Sequence, residues 1–173
     1  MSHYAQANAL AKEGLQLWEA GQLEDAADRY TRAIALVAGQ PGTAYFHSAL
    51  AGVLKALGRN DEATDHYECA LQAELAQGDT EADASVKVAR HFLAEHLTHQ
   101  GQPARALEVL APSVSALPQD WLVCSTQALA LFALGSLAEA KAAAQQALAN
   151  AGSDAKREQL AGHLRAVLEA DEG

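Results

Sequence analysis

His91, Glu95 and His99 recur at intervals of four, with His96 alongside, and residues four apart share one face of a helix. Two imidazoles and a carboxylate on one face are a donor set that Zn²⁺ accepts. The interval is also frequent by chance, and successive turns of a long helix carry such donors beyond the reach of one ion. The stretch therefore reads as a polar helix face with titratable histidines and no bound metal. Other reactive patterns are absent: there is no glycine-rich phosphate loop, Gly-x-Ser-x-Gly elbow or Cys-x-x-Cys pair. A serine or cysteine near a histidine in sequence is not a triad, since triads are defined by geometry. The chain is expected to be non-catalytic and to need no cofactor.

The elements that position these residues must be helical. Half of the 173 residues are hydrophobic, yet only 5% are aromatic. Alanine supplies much of the difference, and it is the best helix former. Alternating Val/Ile/Thr-rich runs of the kind strands need do not occur. The formal charge is −10 with no Lys/Arg-rich block, which disfavours nucleic acid and anionic membranes as partners. Met1 to Gln6 shows no signal-peptide pattern, and the apolar stretch from Ala128 to Leu134 is far shorter than a membrane span. Cys69 and Cys124 lack metal-ligand spacing and read as small buried hydrophobes in a reducing compartment. A cytoplasmic location is expected. Asp61, Glu62, Asp65, Glu68, Glu74, Asp79, Glu81 and Asp83 follow one another with no intervening Lys or Arg. Such an acidic lobe either keeps an alanine-rich surface soluble or steers a basic partner toward it. Trp18 and Trp121 read as packing residues.

One local pattern repeats along the chain. Leu17 to Gly21, Leu54 to Gly58, Leu97 to Gly101 and Leu131 to Gly135 each read Leu-x-x-x-Gly. Five residues after each glycine comes Ala26, Ala63, Ala106 or Ala140, and seven further on Ala33, Ala70, Ser113 or Ala147. The glycines lie 37, 43 and 34 residues apart. A period of this length marks an array of helix-turn-helix units, with glycine as the left-handed cap between paired helices. Ser136 with Glu139 reads as a capping box, Asn60 as an N-cap and Pro103 as a first-turn proline. The long second interval predicts an extended pair, about 60–77 and 80–100, joined at Gly78-Asp79.

These residues resemble the tetratricopeptide repeat (TPR) family, of the stand-alone bacterial type. The resemblance rests on Gly14, Leu17, Gly21, Ala26, Tyr30 and Ala33 in the first unit, and Ala51, Leu54, Gly58, Ala63, Tyr67 and Ala70 in the second. Ala94, Leu97, Gly101, Ala106, Leu110 and Ser113 carry it in the third, and Ala128, Leu131, Gly135, Ala140, Ala144 and Ala147 in the fourth. The early aromatic of the first helix is replaced by Leu10, His47, Arg90 and Cys124. The resemblance implies an all-α, right-handed superhelix forming a single domain over 1–173. Its repeats would span about 7–40, 44–77, 80–118 and 119–150, with a capping helix over 153–170.

It also implies a concave groove lined by each repeat's first helix. By position the groove would present Asn8, Lys12 and Leu15, then Tyr45, Ser48, Gly52 and Lys55. The third repeat would add His91, Phe92, Glu95, Thr98 and His99, and the fourth Ser125, Thr126, Leu129 and Phe132. That wall suits an extended peptide or a partner helix. The family's clamp for a terminal carboxylate would fall on Ala11, Leu15, Ala49, Val88 and Phe92, none of which donates hydrogen bonds. The expected function is an adaptor or scaffold binding a peptide or protein in the groove. The alternative is an acidic inhibitor or immunity-type protein neutralising a basic toxin or enzyme. The partner and the oligomeric state stay open.

Overall fold

The computed structural model describes residues 2–171, and among them ten helices and no strand occur. The helices group into two compact units, one ending at Thr80 and the other beginning at Glu81. The first holds α1 (His3–Glu19), α2 (Leu23–Leu36), α3 (Ala44–Ala56) and α4 (Asn60–Ala76). The second holds α5 (Ala84–His99), α6 (Pro103–Ala116), α7 (Trp121–Leu134), α8 (Leu137–Ala149), α9 (Asp154–His163) and α10 (Arg165–Glu169).

Each Leu-x-x-x-Gly motif builds the same turn. The glycines take φ of 74°, 75°, 71° and 90° at Gly21, Gly58, Gly101 and Gly135, a region that side chains with a Cβ enter at a cost. The residue after each glycine then donates its N–H to the motif leucine. Gln22, Arg59 and Gln102 reach Leu17, Leu54 and Leu97 at 2.9 Å, and Ser136 reaches Leu131 at 3.0 Å. This is the Schellman arrangement, which satisfies carbonyls that a helix end would otherwise leave open. The turn also fixes how the next helix starts. Gln22, Arg59, Gln102 and Ser136 have ψ of 68°, 64°, 51° and 68°, short of the extended backbone from which a cap side chain reaches forward.

Two expected caps therefore do not form. Ser136 makes no side-chain cap bond, and Asn60 lies inside α4 behind Arg59. Side-chain capping occurs at Ser2, Asp120 and Ser153, whose own backbone is extended. Pro103 does occupy the first turn of α6.

Small residues let the paired helices approach. Ala7, Ala11 and Gly14 of α1 are buried, as are Ala26, Ala27, Tyr30 and Ala33 of α2. A Cβ on Gly14 would sit 3.0 Å from the Tyr30 ring, and one on Gly52 would sit 2.8 Å from Trp18. Trp18 thus packs from the first repeat onto the second, as a packing residue should. In the second unit Ala140, Ala144 and Ala147 of α8 are wholly buried beside Cys124, Ala128 and Leu131 of α7. Leu164 and Val167 close that core from the C-terminal side. The expected capping helix is there, but it breaks at Leu164 into α9 and α10.

Three other expectations need correction. Cys69 is exposed on α4, whereas Cys124 is buried. α5 begins at Ala84 rather than near residue 80. Ahead of it Glu81 turns inward and receives Arg90 through both Nε (2.7 Å) and Nη2. Ser113 donates to the same carboxylate at 3.0 Å, and Arg90 Nη1 donates to the Val109 carbonyl at 2.8 Å. Arg90 stands where the family places an aromatic, and this clasp ties α5 to α6 in its stead. The Arg90 hydrogen bonds hold the Glu81 carboxyl below its ordinary range, so its charge belongs to the fold and not to a free acidic surface.

The core of the fourth repeat gives a direct test. Ala144→Leu places three extra heavy atoms where there is no room and should cost about 1–3 kcal/mol, read as a lower denaturant midpoint. Ala142→Leu, on the exposed side of the same helix, should leave the midpoint nearly unchanged.

Candidate functional site

In the second unit α5 and α7, the first helices of the third and fourth repeats, lie side by side. Between them opens a narrow cleft lined by His91, Glu95, Thr98 and His99 of α5 and by Ser125, Thr126 and Leu129 of α7. His163, in the last turn of α9, completes the wall. The helical interval of four brings His91, Glu95 and His99 to this face, and the α5–α7 contact brings Ser125 and Leu129 opposite them. Seven positions expected from sequence thus line one cleft.

The cleft has a defined hydrogen-bond direction. Thr126 Oγ1 donates to the Leu122 carbonyl at 2.8 Å, so it can only accept from His91 Nδ1, 2.7 Å away. Nε2 is therefore the basic nitrogen of the neutral His91 ring. Among the described residues no group of three or more His, Cys, Asp or Glu side chains is placed to hold a metal ion.

The first unit arranges its candidates differently. Asn8, Lys12, Leu15 and Tyr45 are exposed, while Ser48 and Lys55 are half-buried on α3. Gly52 lies beneath the Trp18 ring, which makes it a packing position more than a contact surface. Burial pushes the Tyr30 hydroxyl up to about 12, with its neighbour Tyr45 adding to the effect. Tyr45 also meets Phe46 edge-on, with ring centroids 5.6 Å apart. One pair was not legible beforehand: His47 of α3 and His66 of α4 meet Nδ1 to Nδ1 at 2.9 Å. Burial lowers both imidazoles below 6.5; His66 adds to the effect on His47, while Asp65 and Glu62 oppose it at His66.

The acids differ in their surroundings. Glu62 is held by Arg59 at 2.7 and 2.6 Å, and Arg59 also approaches Glu24 at 3.5 Å. Asp61, Asp65 and Asp83 are exposed, and Glu68 and Asp79 half-buried. Glu81 and Asp83 belong to the second unit, the others to the first.

Apolar exposure is more selective. Leu15 of α1, Tyr45 of α3, Val88 and Phe92 of α5, and Phe132 and Leu134 of α7 are the large hydrophobic side chains exposed among the described residues. All six lie on the first helix of a repeat.

Residues 44–68, 87–112 and 121–146 match the family model described as the tetratricopeptide repeat. The chain belongs to the TPR family. No protein of curated function matches its sequence. Solved structures similar to this TPR chain include BtubC from P. vanneervenii, 20% identical with a TM-score of 0.75, over 95% of this chain and 72% of that one. TTC0263, a thermophilic TPR protein of Thermus thermophilus, is 21% identical with a TM-score of 0.61, over 92% and 82%. YrrB, described as a TPR protein with an unusual peptide-binding site, is 19% identical with a TM-score of 0.60, over 90% and 76%. These likenesses show the TPR fold. Such repeats form protein–protein interaction modules, and no helix among the described residues is long and apolar enough to cross a membrane.

His163 was beyond the reach of the TPR pattern, because the terminal helix shows only that this residue lies off the apolar stripe. The His47–His66 contact predicts a pH response. Both rings titrate below their free value, so the unfolded chain binds protons first as pH falls. Stability should decline as pH drops through and below 6.5, and His66→Gln should flatten that decline in thermal melts between pH 7.5 and 5.

Proposed function

We propose that this TPR chain is a non-catalytic adaptor that takes a peptide or protein segment against the first helices of its repeats. One observation carries the reading: every exposed large apolar side chain among the described residues lies on α1, α3, α5 or α7. Exposed aromatic and aliphatic side chains gathered on one kind of element are what a binding surface offers. The second helices, α2, α4, α6 and α8, carry none of those large side chains. Tyr45 and Leu15 would serve as anchors in the first unit, and Phe92 with Phe132 in the second. The polar residues beside them, from Asn8, Lys12 and Lys55 to His99, would set register. The description of YrrB as having a peptide-binding site supports a peptide as the ligand.

The test is selection of phage-displayed random peptides on the full chain, followed by titration of the retained peptides. Phe92→Ala should weaken them about tenfold or more, a loss of about 1.4 kcal/mol or more, and Gln145→Ala on the exposed side of α8 should not. Peptides indifferent to both Phe92 and Tyr45 would overturn the reading.

A further inference from the structure

The hydroxyl hydrogens lining the cleft of the second unit are already committed, which makes the chemistry of its occupant legible. Thr98 Oγ1 donates to the Ala94 carbonyl at 2.8 Å. Ser125 Oγ donates to Leu122 at 3.0 Å, and Thr126 Oγ1 donates to that same carbonyl at 2.8 Å. A hydroxyl has one hydrogen to give, so all three offer the cleft only lone pairs. His91 directs its Nδ1 hydrogen at Thr126, away from the cleft's occupant. His99 and His163, both exposed at the rim, can present either a donor or an acceptor.

Glu95 sets the charge. It lies one turn from both His91 and His99, is half-buried, and lines the same cleft. Among the described residues no hydrogen bond or ion pair reaches its carboxylate. A half-buried carboxylate without a partner favours an incoming cation, because burial weakens its hydration and lengthens the reach of its field. The lining therefore combines several acceptors with one negative charge, and the complement is a group that only donates.

Size narrows the choice. The enclosed space is about 20 Å³, and a single water needs roughly 10–15 Å³. A compact ammonium matches this narrow room more closely than a planar guanidinium with its five donors. A carboxylate would bring lone pairs against lone pairs. Leu129, on the wall, can cover the methylene stem of the incoming side chain.

We propose that this cleft is a lysine subsite, receiving the ε-ammonium of a lysine on the partner segment. Glu95 neutralises the charge, while Thr98 and Ser125 accept the remaining hydrogens. The proposal rests on the first-helix reading for its partner and adds the identity of one partner side chain.

The probe is Nα-acetyl-lysine methylamide titrated into the full chain, followed through the imidazole Cε1–H signals of His91 and His163. Saturable shifts are expected. Glu95→Gln should raise the dissociation constant about fivefold or more, with its spectrum confirming an unchanged fold. Glu139→Gln, an exposed carboxylate on α8, should leave the constant unchanged. The Nε-acetylated probe and the arginine analogue should bind more weakly than the lysine probe. Absence of saturation, equal binding of the acetylated probe, or indifference to Glu95→Gln would each overturn the subsite. Selected peptides that depend on Phe92 but show no lysine preference would remove the subsite and leave the wider reading standing. A lysine probe that saturates at Glu95 while peptides ignore Phe92 and Tyr45 would do the reverse.

Discussion

Everything in this chain depends on how closely two helices can lie, and that is limited by the side chains between them. Alanine ends at Cβ and glycine before it, so the buried positions of α1, α2, α7 and α8 bring backbones nearer than leucine would permit. The Tyr30 ring fills the space that glycine leaves at position 14. In these pairs close approach buries much of the inner faces with small residues, so a chain with only 5% aromatics still packs a core.

The same economy decides where function can sit. A repeat whose inner faces are alanine has large apolar residues to present elsewhere, and it presents them on its first helices. The glycine turn contributes by fixing the entry to each second helix through backbone alone. Side-chain caps are then confined to junctions such as Asp120, which also receives Lys87 at 2.7 Å. Within the second unit the α5–α7 contact places four residues of one helix opposite three of the other, and the cleft follows from that contact.

Much of this was legible from residue types and spacing. The period, the glycine turns, the helix pairs and the buried alanines all arise from local or nearest-neighbour interactions, and such interactions leave a mark at fixed intervals. His91, Glu95 and His99 shared a face for the same reason. What escaped was set across helices. Arg90 signalled only that an aromatic was missing; its bond to Glu81, nine residues earlier, came from the path of the connecting segment. Ser136 had the composition of a cap but a backbone dictated by Gly135. His47 and His66 lie 19 positions apart and met because α3 and α4 dock at one register, which no single-helix pattern encodes. His163 entered the cleft wall from a helix whose visible pattern described only its apolar side.

The two tryptophans, introduced as packing residues, divide the molecule between them. Trp18 lies against Gly52 in the first unit, and Trp121 lies in the second with the Lys156 ammonium 4.3 Å from its ring centroid. Each unit thus carries one tryptophan, and the environments differ: one ring is pressed against a bare backbone, the other faces a cation. Emission from Trp18 reports the docking of the first two repeats, and emission from Trp121 the C-terminal closure. The order in which the array opens is thereby written into its own spectrum, readable without any attached dye.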